Sequence, residues 1–152
     1  MAQRSRLSTG LSGVAGEYFV AAELSRRGYI ASLTLKNTRG IDILVSNINA
    51  TNSVGVQVKT NQGKGQEWML NKKIEDDTAT HLVYVFVRLN HLESPEYHVV
   101  PRDAVTKHAI ASHQKWLSTP GRNGRPHKDN PMRKFTDPDN IYLNRWDLLG
   151  LD

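Results

Sequence analysis

Two short apolar runs carry polar residues where an ordinary core strand has none. Ile41-Asp42-Ile43-Leu44-Val45 and Val54-Gly55-Val56-Gln57-Val58-Lys59 are separated by a polar connection, Asn47 to Ser53, which is long enough for a loose hairpin. In the second run Val54, Val56 and Val58 alternate with Gln57 and Lys59, the pattern of a half-buried strand. Gln57 and Lys59 therefore point to one face, and if the two runs pair, Asp42 reaches that face as well. Taken singly, each has a plain reading: Asp42 bonded to turn amides, Gln57 to backbone, Lys59 reaching off a strand end. Burying all three without a role costs on the order of several kcal/mol in desolvation. A carboxylate and an amide oxygen beside an ammonium suit a divalent cation and a water.

The remaining pattern supplies the layers around this pair. Val14 to Arg27 has helical periodicity, with Val14, Tyr18, Ala21 and Ala22 as its apolar stripe and Phe19 and Leu24 widening it. Thr9 and Ser12 are candidate N-caps and Gly28 the natural stop. Tyr29 to Leu35 predicts a first strand, and Lys36 to Gly40 a polar turn into the second, Ile41 to Val45. After the third strand, Val54 to Lys59, comes a glycine-rich loop from Thr60 to Gln66. Glu67 to Leu70 reads as a short strand or a loop, and Asn71 to Thr78 as a short helix or a loop. His81 to Leu89 is nearly continuous in apolar residues, as expected of a central strand covered on both faces. Tyr97 to Val100 predicts a further strand and Arg102 to Leu117 a helix. Thr119 to Asp139 holds Pro120, Pro126, Pro131 and Pro138 and predicts an irregular loop. Ile141 to Leu149 is apolar enough to dock back on the body. The expected fold is α/β: a single domain over residues 1–152 with a central mixed five-stranded sheet flanked by helices.

Composition narrows the class. The 152 residues suit one domain, and the formal net charge of +5 favours an acidic partner, of which nucleic acid is the usual one. No cysteine is present, so disulfides and thiolate metal sites are excluded. No apolar run is long enough to span a membrane, and no secretory leader is evident, which predicts a cytoplasmic protein. The six histidines show no zinc-site spacing, and Trp68, Trp116 and Trp146 read as core or docking anchors.

Gly40-Ile41-Asp42 followed by Gln57-Val58-Lys59 resembles the signature of the PD-(D/E)XK nuclease superfamily. That signature is an acidic residue opening one strand, then an acidic residue, any residue and a lysine on the next. The resemblance extends over a core of about residues 9–90, with residues 91–152 as a C-terminal extension. It includes Glu17 on the first helix, where Holliday-junction resolvases carry a glutamate. Ile41 stands in place of the proline, and Gln57 in place of the second acid.

The resemblance implies a restriction-endonuclease-like fold and a Mg²⁺- or Mn²⁺-dependent DNA endonuclease. Glu17, Asp42, Gln57 and Lys59 would be its catalytic residues, with Asp42, Gln57, the Val58 carbonyl and Glu17 toward the metal. Lys36, Arg39, Asn61, Gln62 and Lys64 flank the site in loops, and Arg122 and Arg125 lie in the basic stretch from Lys115 to Lys134. These are the expected DNA contacts. A homodimer is expected from the same resemblance. Two further readings stay open: a non-catalytic nucleic-acid-binding module on the same scaffold, and a structural or assembly subunit.

Overall fold

The computed structural model describes residues 5–35, 40–76 and 81–152. Helix α1 (Thr9–Arg26) leads into strands β1 (Ile30–Leu33), β2 (Ile43–Ser46) and β3 (Ser53–Asn61). Strand β4 (Glu67–Asn71) and a 3-10 turn (Lys72–Glu75) follow, then β5 (Leu82–Arg88), β6 (Glu96–Pro101) and α2 (Arg102–Ser118). A second 3-10 turn (Arg122–Gly124), strand β7 (Met132–Thr136) and a third 3-10 turn (Trp146–Leu149) complete the order. The five-stranded sheet runs β1-β2-β3-β5-β6, and β4 pairs with β7 in a separate two-stranded sheet. Among the described residues the central pair β3–β5 is parallel, and β1–β2, β2–β3 and β5–β6 are antiparallel. This is the mixed five-stranded α/β architecture anticipated above.

Strand β5 explains how the layers close. Val83, Val85 and Val87 point into one apolar cluster, with Val20 and Leu24 of α1, Val56 of β3 and Trp146, Leu149 and Leu151 of the C-terminal segment. Leu82, Tyr84 and Phe86 point the other way, into a cluster with Trp68, Ile74, Val105, Ala109 and Phe135. A strand buried on both sides has no polar face, which accounts for its unbroken apolar run. The same alternation sorts β3. Val54, Val56 and Val58 belong to the α1 side, so Gln57 and Lys59 project from the opposite face.

Several expectations need correction. The α1 helix begins a turn earlier than Val14, because the Ser8 hydroxyl caps it by accepting the Leu11 N–H at 3.2 Å. Its buried line is Ser12, Gly16, Val20, Glu23 and Leu24, while Val14, Tyr18 and Phe19 stand 43%, 61% and 44% exposed. Periodicity weights large apolar side chains, but the sheet selects the face where the backbones approach most closely. A Cβ added to Gly16 would lie 1.9 Å from Thr60 Oγ1, so only glycine permits that approach. Thr60 and Asn61 extend β3 instead of opening the loop.

The stretch from Thr119 to Asp139 is not wholly irregular. Met132–Thr136 forms β7, with Arg133 and Phe135 buried and paired to Leu70 and Trp68. Pro131 and Pro138 bracket this strand without entering it, so their number obscures an alternating five-residue run. Trp68 and Trp146 are buried as expected. Trp116 is 37% exposed and anchors the following loop instead of the core, its ring stacked on His127 at 4.1 Å and on His113 at 5.6 Å. The reading of Asn71 to Thr78 resolves into the 3-10 turn through Glu75, and residues 77–80 lie outside the described residues. Among the described residues no helix is long and apolar enough to cross a membrane.

The Gly16 contact separates two glycines on one helix. Gly16→Ala is expected to lower the unfolding free energy by about 1–3 kcal/mol through overpacking. Gly13→Ala meets nothing within 4 Å and is expected to raise it by about 0.4–1 kcal/mol through the unfolded state. Urea denaturation of both variants measures the contrast.

Candidate active site

The β2–β3 ladder runs from Ser46↔Ser53 to Ile43↔Val56 and then opens. Beyond it, the Asp42 N–H still donates to the Val56 carbonyl at 2.9 Å. The next donor, the Val58 N–H, takes the Asp42 carboxylate instead of a main-chain carbonyl, with Oδ2 at 2.7 Å. The carboxylate thus occupies a ladder position at the point where the strands part. An ordinary strand presents a residue's N–H and C=O to the same neighbour. The Val58 carbonyl is therefore directed to the side that holds Asp42.

The backbone around Asp42 is fixed from β1. The Thr34 N–H donates to the Asp42 carbonyl at 3.0 Å, and the Thr34 hydroxyl donates to the carbonyls of Ile41 and Asp42. Thr34 was not singled out in the sequence, and nothing in its neighbourhood there marks it. On the other flank Gly40 has φ of +73°, a conformation that favours glycine. The Gln57 amide oxygen lies 3.5 Å from where a Gly40 Cβ would be, which places it beside the turn into Asp42.

Asp42, Gln57 and Lys59 are each half-buried. Burial is the largest influence on the Asp42 carboxyl and raises its pKa; the Val58 N–H and then the Lys59 charge act against it. The Lys59 ammonium is therefore close enough to act on this carboxylate. The net result is an anion that lacks full compensation within the protein, as expected of a functional carboxylate in a cleft.

Glu17 is placed differently. It is half-buried on α1, next to the Gly16–Thr60 crossing, and α1 covers the face opposite to Gln57 and Lys59. The structure thus brings three of the four expected catalytic residues to one place and sets Glu17 on the neighbouring layer. Among the described residues no three His, Asp or Glu side chains gather as a metal cluster. The oxygen donors available at the site are the Asp42 carboxylate, the Gln57 amide and the Val58 carbonyl, an all-oxygen set that matches a hard cation.

The expected DNA contacts divide. Lys36 and Arg39 lie outside the described residues. The Asn61 amide builds the glycine-rich loop, donating to the Gly65 and Glu67 carbonyls at 3.1 and 3.2 Å and accepting the Gly63 N–H at 2.9 Å. Gln62 holds the Leu7 backbone at both ends of its amide, at 2.9 and 3.1 Å. The Lys64 ammonium sits 3.1 Å from Glu93. Arg122 and Arg125 are exposed at the second 3-10 turn, beyond the end of α2.

Solved structures with this fold include two nucleases. The bacterial homing endonuclease I-Ssp6803I superposes with a TM-score of 0.57 at 15% identity, over 95% of this chain and 94% of that one. The Holliday junction resolvase Hjc of the hyperthermophilic archaeon Archaeoglobus fulgidus superposes with a TM-score of 0.52 at 11% identity, over 92% and 97%. No family profile and no curated protein sequence matches the chain. The fold is nuclease-like. The likeness lies in the mixed five-stranded α/β arrangement that the order of elements predicts.

The buried carboxylate has a measurable consequence. Its raised pKa means that folding favours the neutral form. That contribution is full below the ordinary value of 3.8 and is lost as the pH rises through the raised one. Asp42→Asn, always neutral and still able to accept the Val58 N–H, is expected to be more stable than the wild type at pH 7. The gap should close as the pH falls below 3.8; denaturant melts across that range measure it.

Proposed function

We propose that this chain is a metal-dependent DNA endonuclease that hydrolyses phosphodiester bonds at the Asp42, Gln57 and Lys59 site. The observation that carries the proposal is the Asp42 carboxylate seated on the Val58 N–H at the parting of β2 and β3, within electrostatic reach of Lys59. The nuclease-like fold supports the same reading.

Asp42, Gln57 and the Val58 carbonyl would hold a Mg²⁺ or Mn²⁺ ion, with waters completing its shell. When bound, the ion supplies Lewis acidity toward the phosphate and makes water a better nucleophile near neutral pH. Lys59 orients the attacking water and offsets the negative charge that builds on the phosphate oxygens. Thr34 and the Val58 N–H keep the Asp42 carboxylate in one position, so little reorganisation accompanies the reaction. The water oxygen forms the new bond to phosphorus, one bridging P–O bond breaks, and no covalent enzyme intermediate is required. A homodimer would present two such sites to two strands, in a cytoplasmic setting.

Gln57 favours a second reading, a DNA-binding module without catalysis, because an amide attracts a cation less than the carboxylate it replaces. The two readings separate in one experiment. Supercoiled, branched and single-stranded DNA are incubated with the protein in Mg²⁺, Mn²⁺ or EDTA. Cleavage is expected only with metal, and is expected to fall at least about 100-fold in Asp42→Ala and in Lys59→Ala. Cleavage that survives either substitution would refute the assignment. Absence of cleavage in both the wild type and Gln57→Glu selects the binding module.

A further inference from the structure

The cations of this protein are distributed unevenly between paired and unpaired states. Across much of the surface they sit on acids: Arg26 and Arg27 on Glu23, Lys64 on Glu93, Arg88 on Glu96 and Arg145 on Asp147. Even within the basic stretch, Arg133 is buried against Glu75 and Lys134 lies on Glu67. Lys72 and Lys73 of the first 3-10 turn, Lys115 of α2, and Arg122, Arg125 and Lys128 of the following loop are all exposed. None of these six has an acidic partner among the described residues. Elsewhere the same holds for Arg6 and for Lys107 further up α2.

Those six residues belong to one lobe. The Lys72 N–H donates to the Pro131 carbonyl at 2.8 Å, which ties the end of the loop to the 3-10 turn. At the other end, the loop is folded onto α2. His127 contacts the Trp116 carbonyl through Nδ1 at 2.7 Å, and its ring stacks on the Trp116 ring at 10°. His113 stacks on Trp116 from α2 and bonds the loop's Asp129 at 2.8 Å. The Gly121 N–H closes the turn on the Arg125 carbonyl at 2.8 Å. A proline- and glycine-rich segment would ordinarily lose much entropy when a partner orders it. Here three rings and these bonds hold it in place beforehand.

The lobe and the candidate site border one apolar cluster. Ile74 of the 3-10 turn belongs to a cluster that includes Tyr84, and Ile41, the residue before Asp42, packs against it. Tyr84 is the register partner of Gln57.

We infer that this lobe is the main nucleic-acid backbone clamp of the protein, with Lys115, Arg122, Arg125 and Lys128 neutralising duplex phosphates and Lys72 and Lys73 continuing the track toward Asp42. The glycine-rich loop at Asn61, Gln62 and Lys64 then has a scaffolding part, because its polar groups are engaged within the chain. The inference deepens the endonuclease reading by assigning it a substrate surface, yet binding can be measured without cleavage.

The test is fluorescence anisotropy with a labelled duplex in EDTA over a salt series. Each phosphate contact contributes about 0.9 to the slope of log K against log salt. The Arg122→Ala/Arg125→Ala/Lys128→Ala protein is expected to lose about 2–3 from that slope and to bind roughly tenfold or more weakly at moderate salt. A control with Arg26→Ala and Arg145→Ala, which removes paired cations, should keep the wild-type slope. Trp116→Ala, which leaves every cation in place, should weaken binding several-fold, and Trp116→Phe should restore it; circular dichroism confirms that each variant is folded. A triple variant with wild-type affinity and slope overturns the inference. So does a wild-type protein that binds anionic phospholipid vesicles but not the duplex. Duplex binding that depends on the lobe in a protein that never cleaves leaves the clamp standing and removes only the endonuclease reading.

Discussion

The hydrogen bond from the Val58 N–H to the Asp42 carboxylate is the constraint on which the site depends. At the end of a β-ladder a main-chain donor loses its partner and must find another or face water. Here a side chain takes that place, which both satisfies the donor and anchors an anion at a strand fork. A charge held by the backbone cannot wander as a surface carboxylate can. Thr34 repeats the principle from the opposite strand, using its hydroxyl and N–H to fix the carbonyls beneath Asp42. The resulting carboxylate is rigid, half-buried and incompletely neutralised, three properties that surface ion pairs rarely combine.

The remainder of the molecule can be understood as support for that fork. Strand β3 must present Val56 and Val58 to α1 and Gln57 and Lys59 to the other side, so a one-residue slip in register would exchange core for site. The parallel neighbour β5, buried on both faces, pins the register from one edge, and β2 pins it from the other. The Gly16–Thr60 crossing seats α1 on the far end of the same strand.

Much of this was legible in the sequence, and the reasons for the exceptions are physical. The order of elements through β5, the two-sided burial of that strand and the shared face of Gln57 and Lys59 follow from period-two patterning, which is strong when valines alternate with polar groups. The buried face of α1 escapes the pattern because small residues such as Ser12 and Gly16 carry little hydrophobic signal, although they allow the closest approach. Strand β7 was hidden by the prolines at either side of it. Thr34 was invisible because its role is a pair of hydrogen bonds to carbonyls seven and eight residues away, and no local pattern encodes such a contact. Asn61 and Gln62 have the composition of phosphate ligands, but their amides are committed within the chain.

Trp146, Leu149 and Leu151 complete the apolar cluster beneath α1, although they lie far along the chain from the strands they cover. The motif-bearing first ninety residues consequently do not supply the whole of that cluster. A fragment that stops short of Trp146 would lack part of that cluster and leave Tyr97, which packs on the Trp146 ring, without its cover. Asp42, Gln57 and Lys59 thus precede in the chain the apolar segment that completes the packing on the α1 side of their sheet, and that packing waits for its docking.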